Sequence, residues 1–284
     1  MFTEHSIPAA GVRLNVAHGP KHGPTVWFFH GLGRRWQDFS PLFGSLTPLY
    51  TIRAADHRGH GNSSHAPGCY SVAEYVADAA AIIRESTEPV AIVGHSLGAL
   101  TALGVAAAVP ESVRGIVLLD PPGPEFLAKI DTTLYAVTWA AMQQLAGNQR
   151  TIAEVTRELA ELRIPGSKPR ETVRFGDLRD PAALRFMARC LRDLDPDTLT
   201  LPLAGQWLEG YDSLALAKQV RCPVLLAIAD PAFGGMLPPP EADSLFAAIP
   251  DSHRVDLPGV GHLIHWQDAH QTLLLLHAFL GSLS

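Results

Sequence analysis

The run Gly94-His95-Ser96-Leu97-Gly98 sets a serine between two glycines, after the apolar stretch 90–94 and before a helix-like stretch at 97–109. A serine there is a candidate nucleophile. A sharp strand-to-helix turn imposes unusual backbone angles, and glycine two residues to either side removes the Cβ atoms that would collide. The competing reading is a helix N-cap; the strand–turn–helix setting favours the nucleophile.

A serine hydroxyl at its ordinary pKa needs a base beside it. The chain has 13 histidines, so placement must choose among them. His262 lies in the loop 257–266, after the strand-like HRVDLP and before the final helix, with Gly259 and Gly261 free to fold that loop over the nucleophile. His265 is the runner-up. The base in turn needs a carboxylate to fix its tautomer. Asp230 ends the run 223–230 and is the first choice. Asp120 ends the run 115–120 and is the alternative; Asp243 reads as the first turn of a helix. An oxyanion needs N–H donors. Leu97, just after the serine, offers one, and Leu32 in the turn His30-Gly31-Leu32-Gly33 offers the other.

The elements that must hold these residues are legible as well. Short apolar runs at 25–30, 50–56, 90–94, 115–120 and 223–230 lack alternation, as expected of strands buried on both faces of a parallel sheet. The runs 11–19 and 253–258 alternate more. Helical patterns fall between them, which predicts an α/β sheet with helices on both faces. From 121 to 220 the alternation stops and helix follows helix, at TTLYAVTWAAMQQLAG, TIAEVTRELAEL, PAALRFMARCLRDL and SLALAKQV, with joints at IPGSKP and DPDTLTLP. The expected organisation is a core of 1–120 and 221–284 with a helical cap at 121–220.

Composition narrows the partners. The chain has 284 residues, 47% hydrophobic and 18% charged, with net charge −6. That suits a folded domain with a large core and argues against nucleic acid or anionic membrane, which call for clustered Lys and Arg. Cys69, Cys190 and Cys222 suggest neither a disulfide framework nor a metal site. His57, His60 and His65 lack the spacing of a binuclear metal centre, so neither metal nor cofactor is expected. The start MFTEHSIPAAG has no basic and apolar leader pattern, and the longest apolar run is too short to span a bilayer. A cytoplasmic protein acting on a small molecule is the expectation, with oligomeric state unreadable.

Taken together, HGLG (30–33), DHRGHGNS (56–63), GHSLG (94–98) and GVGH (259–262) resemble the α/β-hydrolase superfamily, in its order of nucleophile, acid and histidine. The resemblance covers about 1–120 and 221–284. It implies a mostly parallel, eight-stranded-type sheet with a helical cap after the sixth strand, and Ser96, His262, Leu32 and Leu97 in the roles above. It implies that 56–63 is more structural than catalytic. Many members carry the acid in G-x-x-D after the penultimate strand; here Ala229 and Ala232 stand at those positions, which keeps Asp120 open beside Asp230. Position 96 is not Asp, which argues against dehalogenase and epoxide hydrolase chemistry.

The implied activity is hydrolysis of a carboxylic ester, lactone or related acyl compound with a hydrophobic acyl or aryl part, through an acyl-enzyme on Ser96. C–C bond hydrolysis, cofactor-free haloperoxidation, acyl transfer and slow-turnover ligand reception are the alternatives. Candidate pocket residues are His30, Gly31, His95, Trp36, Trp139, Trp207 and Trp266, with Met142, Phe186 and Met187 as further cap residues. Arg34 and Arg35 are either a solvated pair or a contact for a substrate carboxylate.

Overall fold

The computed structural model describes residues 1–147, 149–165 and 172–283. One sheet organises the chain. Its strands are β1 (Thr3–Pro8), β2 (Arg13–His18), β3 (Thr25–Phe29), β4 (Thr51–Ala55), β5 (Val90–His95), β6 (Val113–Leu119), β9 (Val224–Ala229) and β10 (Ser252–Leu257). A separate two-stranded ribbon pairs β7 (Arg163–Pro165) with β8 (Thr172–Arg174). The large sheet runs β1-β2-β4-β3-β5-β6-β9-β10. Only the β1–β2 and β2–β4 pairs are antiparallel; the rest are parallel.

The continuous apolar runs have a simple cause. Val26 and Phe28 feed the core under α1 (Ser40–Leu46) and α12 (Ala269–Ser282), while Trp27 and Phe29 feed the opposite core. That second core lies under α2 (Val72–Arg84), α3 (Leu97–Ala108), α9 (Ser213–Ala217) and α10 (Pro239–Ala248). A strand covered on both faces needs apolar side chains at every position. Burying each large side chain such as Phe28 contributes about 1.5–3 kcal/mol. β1 was not anticipated. It is an edge strand, mostly exposed, so it carries no hydrophobic pattern, and it ends in Pro8, which an edge tolerates.

Between β6 and β9 the chain forms α4 (Pro124–Ala128), α5 (Leu134–Leu145), α6 (Ile152–Glu161), α7 (Pro181–Arg192), α8 (Thr200–Leu203) and α9. All four helical patterns anticipated there are helices. α6 opens with a capping box between Thr151 and Glu154. DPDTLTLP, expected to be a joint, instead forms a 3₁₀ turn running into α8, because Asp195 caps the turn at the amide of Asp197. In the other expected joint, residues 166–169 lie outside the described residues.

The insertion has its own apolar cluster, continuous with Leu32, Leu97 and Leu100 of the sheet layer. Polar ties fasten it to the core. Tyr70 donates to Asp195 at 2.6 Å, Tyr211 to the Leu100 carbonyl at 2.8 Å, and Arg35 pairs with Asp193 at 3.1 Å. Among the described residues, no helix is long and apolar enough to cross a membrane.

Candidate active site

Chain direction across the sheet changes between β3, β4 and β5: β3 lies between β4 and β5. Crevices at the carboxyl ends of strands beside such a switch are where open α/β sheets bind ligands. Ser96 stands there, between β5 and α3, with φ +54° and ψ −117°. That is a strained conformation for a residue with a side chain. The glycines permit it. A Cβ on Gly98 would stand 1.8 Å from the Phe29 carbonyl oxygen, and one on Gly94 2.0 Å from that of Gly98. The Ser96 amide donates to the Leu119 carbonyl at 3.0 Å, which ties the turn to the end of β6.

His262 reaches the same turn from the loop after β10. Its carbonyl accepts from His95 Nε2 at 2.8 Å, and the two rings lie 4.7 Å apart. Tyr135 of α5 stands on another side, with ring centroids 5.9 Å apart at 78°. His262 Nδ1 meets Asp120 Oδ2 at 2.6 Å. With the proton on Nδ1 facing the carboxylate, Nε2 keeps a lone pair.

The structure brings Asp120, and not the first-choice Asp230, to His262. Asp120, fully buried, turns inward at the end of β6 with φ +46°. The amides of Ala229 and Met236 donate to its carboxylate at 3.2 and 2.9 Å, and His262 completes the set. Asp230 is partly exposed and spent elsewhere. Its carboxylate accepts from the amides of Ala232 and Gly259, both at 2.9 Å, and these bonds hold it below the usual carboxylate range. It shapes the loop that carries His262 without touching the ring. Asp243 pairs with Arg254 at the surface.

The turn 30–33 is braced by histidines. His60 Nε2 accepts from the Gly33 amide at 3.0 Å, and the His57 amide donates to His30 Nε2 at 3.1 Å. Burial, then His60 and Arg58, push His57 down to about 3; burial likewise takes His60 to about 4. Burial, then His57 and His60, hold His30 well below its ordinary value. All three are neutral, and the stretch 56–63 serves as scaffold. Gly33 and Arg34 donate to His60 and Gly31, and the Leu32 N–H is engaged by no other described residue. Leu97 heads α3, where an N–H has no partner within the helix.

The tryptophans divide. Trp139 and Trp207, with Met142, are buried in the cluster that includes Leu32 and Leu97. Trp36 lies in a different core, against Phe2 and Phe43, and does not join the site. Trp266 donates to Asp38 at 2.8 Å and packs at a tilt against Phe186. Arg34 packs over both rings and binds Asp38 through Nε at 2.7 Å. Arg34 and Arg35 thus fasten α7 of the insertion to the core, each paired with a carboxylate of the protein itself, and are not a solvated pair.

Sequence reasoning missed Asp38 and Tyr135. Asp38 binds His265 Nε2 at 2.9 Å, which ties the runner-up base into the Asp38 cluster with Arg34 and Trp266. The i,i+4 spacing of Arg34 and Asp38 was the available signal. Burial alone would raise Asp38, but Arg34 and His265 outweigh it and hold the carboxyl well below its ordinary value. Asp38, His95 and His265 each offer one metal-ligand atom within 4.8 Å of the others. The Asp38 oxygens already accept from Arg34, His265 and Trp266, so hydrogen bonding accounts for the cluster.

Comparison with known proteins agrees with this fold. A family model described as the alpha/beta hydrolase family matches residues 26–273. The chain is 37% identical over 240 residues to 2-(acetamidomethylene)succinate hydrolase of Mesorhizobium japonicum, covering 78% of this chain and 84% of that one. It is 28% identical to the pimeloyl-[acyl-carrier protein] methyl ester esterase of Xylella fastidiosa, covering 74% and 84%. The crystal structure of E-2-(acetamidomethylene)succinate hydrolase superposes with a TM-score of 0.77 at 25% identity, over 99% of this chain and 100% of that one. The enol-lactonase of Burkholderia xenovorans LB400 shares the fold, with a TM-score of 0.72 at 17% identity over 98% and 100%. The chain is a hydrolase and belongs to the alpha/beta hydrolase family.

Proposed function

We propose that the protein is a serine hydrolase that cleaves an ester, lactone or amide through an acyl-enzyme on Ser96. The observation that carries the reading is the 2.6 Å bond between Asp120 and His262, on a loop whose backbone is bonded to the residue preceding Ser96. Ser96 Oγ attacks the substrate carbonyl while His262 Nε2 takes its proton. Asp120 keeps the ring in the required tautomer and stabilises the imidazolium. The amides of Leu32 and Leu97 receive the oxyanion. His262 then returns the proton to the leaving group, and its carbon–heteroatom bond breaks. Water adds to the acyl carbonyl by the same route and frees Ser96.

Residues 121–220 act as a cap that closes over the acyl pocket. Trp139, Trp207 and Met142 are buried in the apolar cluster that includes Leu32 and Leu97, which supports a substrate with a hydrophobic portion beside the carbonyl. The relatives named above hydrolyse an acetamido compound and a methyl ester, so both an amide and an ester belong in the test. The experiment is a panel of p-nitrophenyl esters, lactones and 2-(acetamidomethylene)succinate, with wild type and Ser96→Ala. Turnover on at least one class should fall by a factor on the order of 10⁶ in the variant. Equal turnover by both proteins sinks the reading.

A further inference from the structure

His95, beside the nucleophile, has no role in the reaction just described, yet its surroundings are specific. The side chain is 1% exposed. Its Nε2 donates to the carbonyl of His262 at 2.8 Å, so Nε2 carries the ring proton. Its Nδ1 has no hydrogen-bond partner and faces the turn 30–33: a Cβ on Gly31 would stand 3.0 Å from it and 3.2 Å from the Ser96 Cβ. The imidazole is thus wedged between the loop that carries the base and the turn that offers the Leu32 amide.

A buried polar atom without a partner costs stability, on the order of 1–3 kcal/mol. An apolar side chain of the same size would fill the space without that cost. The bond to His262 is what an apolar residue could not supply.

The ring is also held from behind. His265 lies against it, with centroids 4.7 Å apart at 63°, and Phe39 in turn stacks on His265 at 4.8 Å. Asp38 grips His265 and Trp266 from the base loop and Arg34 from the exit of the turn 30–33. One carboxylate therefore ties the two loops together beneath His95. Burial, then His262 and His265, keep the His95 pKa well below its ordinary value, so the wedge stays neutral.

We propose that His95 is a positioning residue that sets the height of the His262 imidazole over Ser96 through its bond to the His262 carbonyl, with Asp38, His265 and Trp266 as its backstop. This rests on the reading of Ser96 and His262 as nucleophile and base. Misplacing a reacting group by about 1 Å costs about 10²-fold in rate.

The test uses three variants of the full chain. His95→Phe keeps a ring and removes the donor. His95→Gln puts an amide N–H where Nε2 stands, and His95→Asn puts one where Nδ1 stands. His95→Phe should lower kcat roughly 10- to 100-fold with little change in KM, and Gln should recover most of the loss while Asn does not. The low-field proton resonance of the His262–Asp120 bond should shift in Phe and return in Gln. Wild-type kcat in His95→Phe, or equal losses in Gln and Asn, overturns the proposal. Should His95→Phe fail to fold, the Gln–Asn comparison still decides. Should Ser96→Ala turn over substrate like wild type, the reading of Ser96 as nucleophile fails on its own; the proton resonance then still tests whether His95 sets His262.

Discussion

Two strands of the sheet end alike in sequence and unlike in structure. β6 runs into Leu119-Asp120-Pro121 and β9 into Ala229-Asp230-Pro231, two neighbouring strands each closed by Asp-Pro. At β6 the backbone turns to φ +46° and drives a fully buried carboxylate onto His262. At β9 it stays extended at φ −72°, and the carboxylate caps the next turn from the surface. A carboxylate at a strand end is local information. Which way it turns depends on what the loops beyond can offer it. Asp120 has two amides and an imidazole to make its burial tolerable.

The most direct way to break this comparison is to neutralise each aspartate in turn. Asp120→Asn should lower kcat by about 10⁴-fold on any substrate found for the enzyme, with the fold intact by circular dichroism. Asp230→Asn should leave kcat essentially unchanged and lower the melting temperature slightly. A variant of Asp120 that keeps substantial activity would mean that Asp230, or another group, can take its place.

A second contrast sets the carboxylate-paired His262 against His57 and His60, which are buried without a carboxylate contact. Because burial lowers their pKa values to about 3 and 4, the unfolded chain takes up protons near 6.5 while the folded chain resists until far lower pH. Their contribution is therefore intact above about pH 6.5 and lost as pH falls toward 3. Each histidine adds up to about 1.4 kcal/mol of lost stability per pH unit in that window. Urea midpoints measured from pH 7 to 4 should fall steadily. A flat profile would show that these rings are not buried neutral beneath the turn 30–33.

The smallest effect concerns the clasp between the insertion and the β9 loop. Tyr135 donates to the Gly234 carbonyl at 2.6 Å while its ring faces His262. Tyr135→Phe should cost about 1 kcal/mol of stability, read from the thermal midpoint. If the clasp steadies His262 from above, hydrogen exchange in 231–236 should quicken in the variant. Unchanged exchange would assign the ring contact, not the hydroxyl, to that task.

Much of this was readable before any coordinates. The strands beneath Ser96 are covered on both faces, so their sequences had to be apolar without interruption, and those runs marked β3, β5, β6 and β9. Gly94 and Gly98 marked the turn because no other residue fits so near a backbone carbonyl. What escaped notice was polar and long-range. Asp38 is 227 residues from its partner His265, and β1 shows no pattern because water covers most of it.

The sequence by itself determined most of the sheet, the largely helical insertion (its short β7–β8 ribbon carried no readable pattern), the sharp turn at Ser96 and the histidine loop that meets it, because periodicity and steric exclusion act over a few residues. Tertiary structure alone decided which aspartate meets His262, that Arg34 and Arg35 fasten the insertion, and that His95 bridges two loops. Those outcomes depend on which buried polar groups find partners across more than a hundred residues, and no local pattern records that.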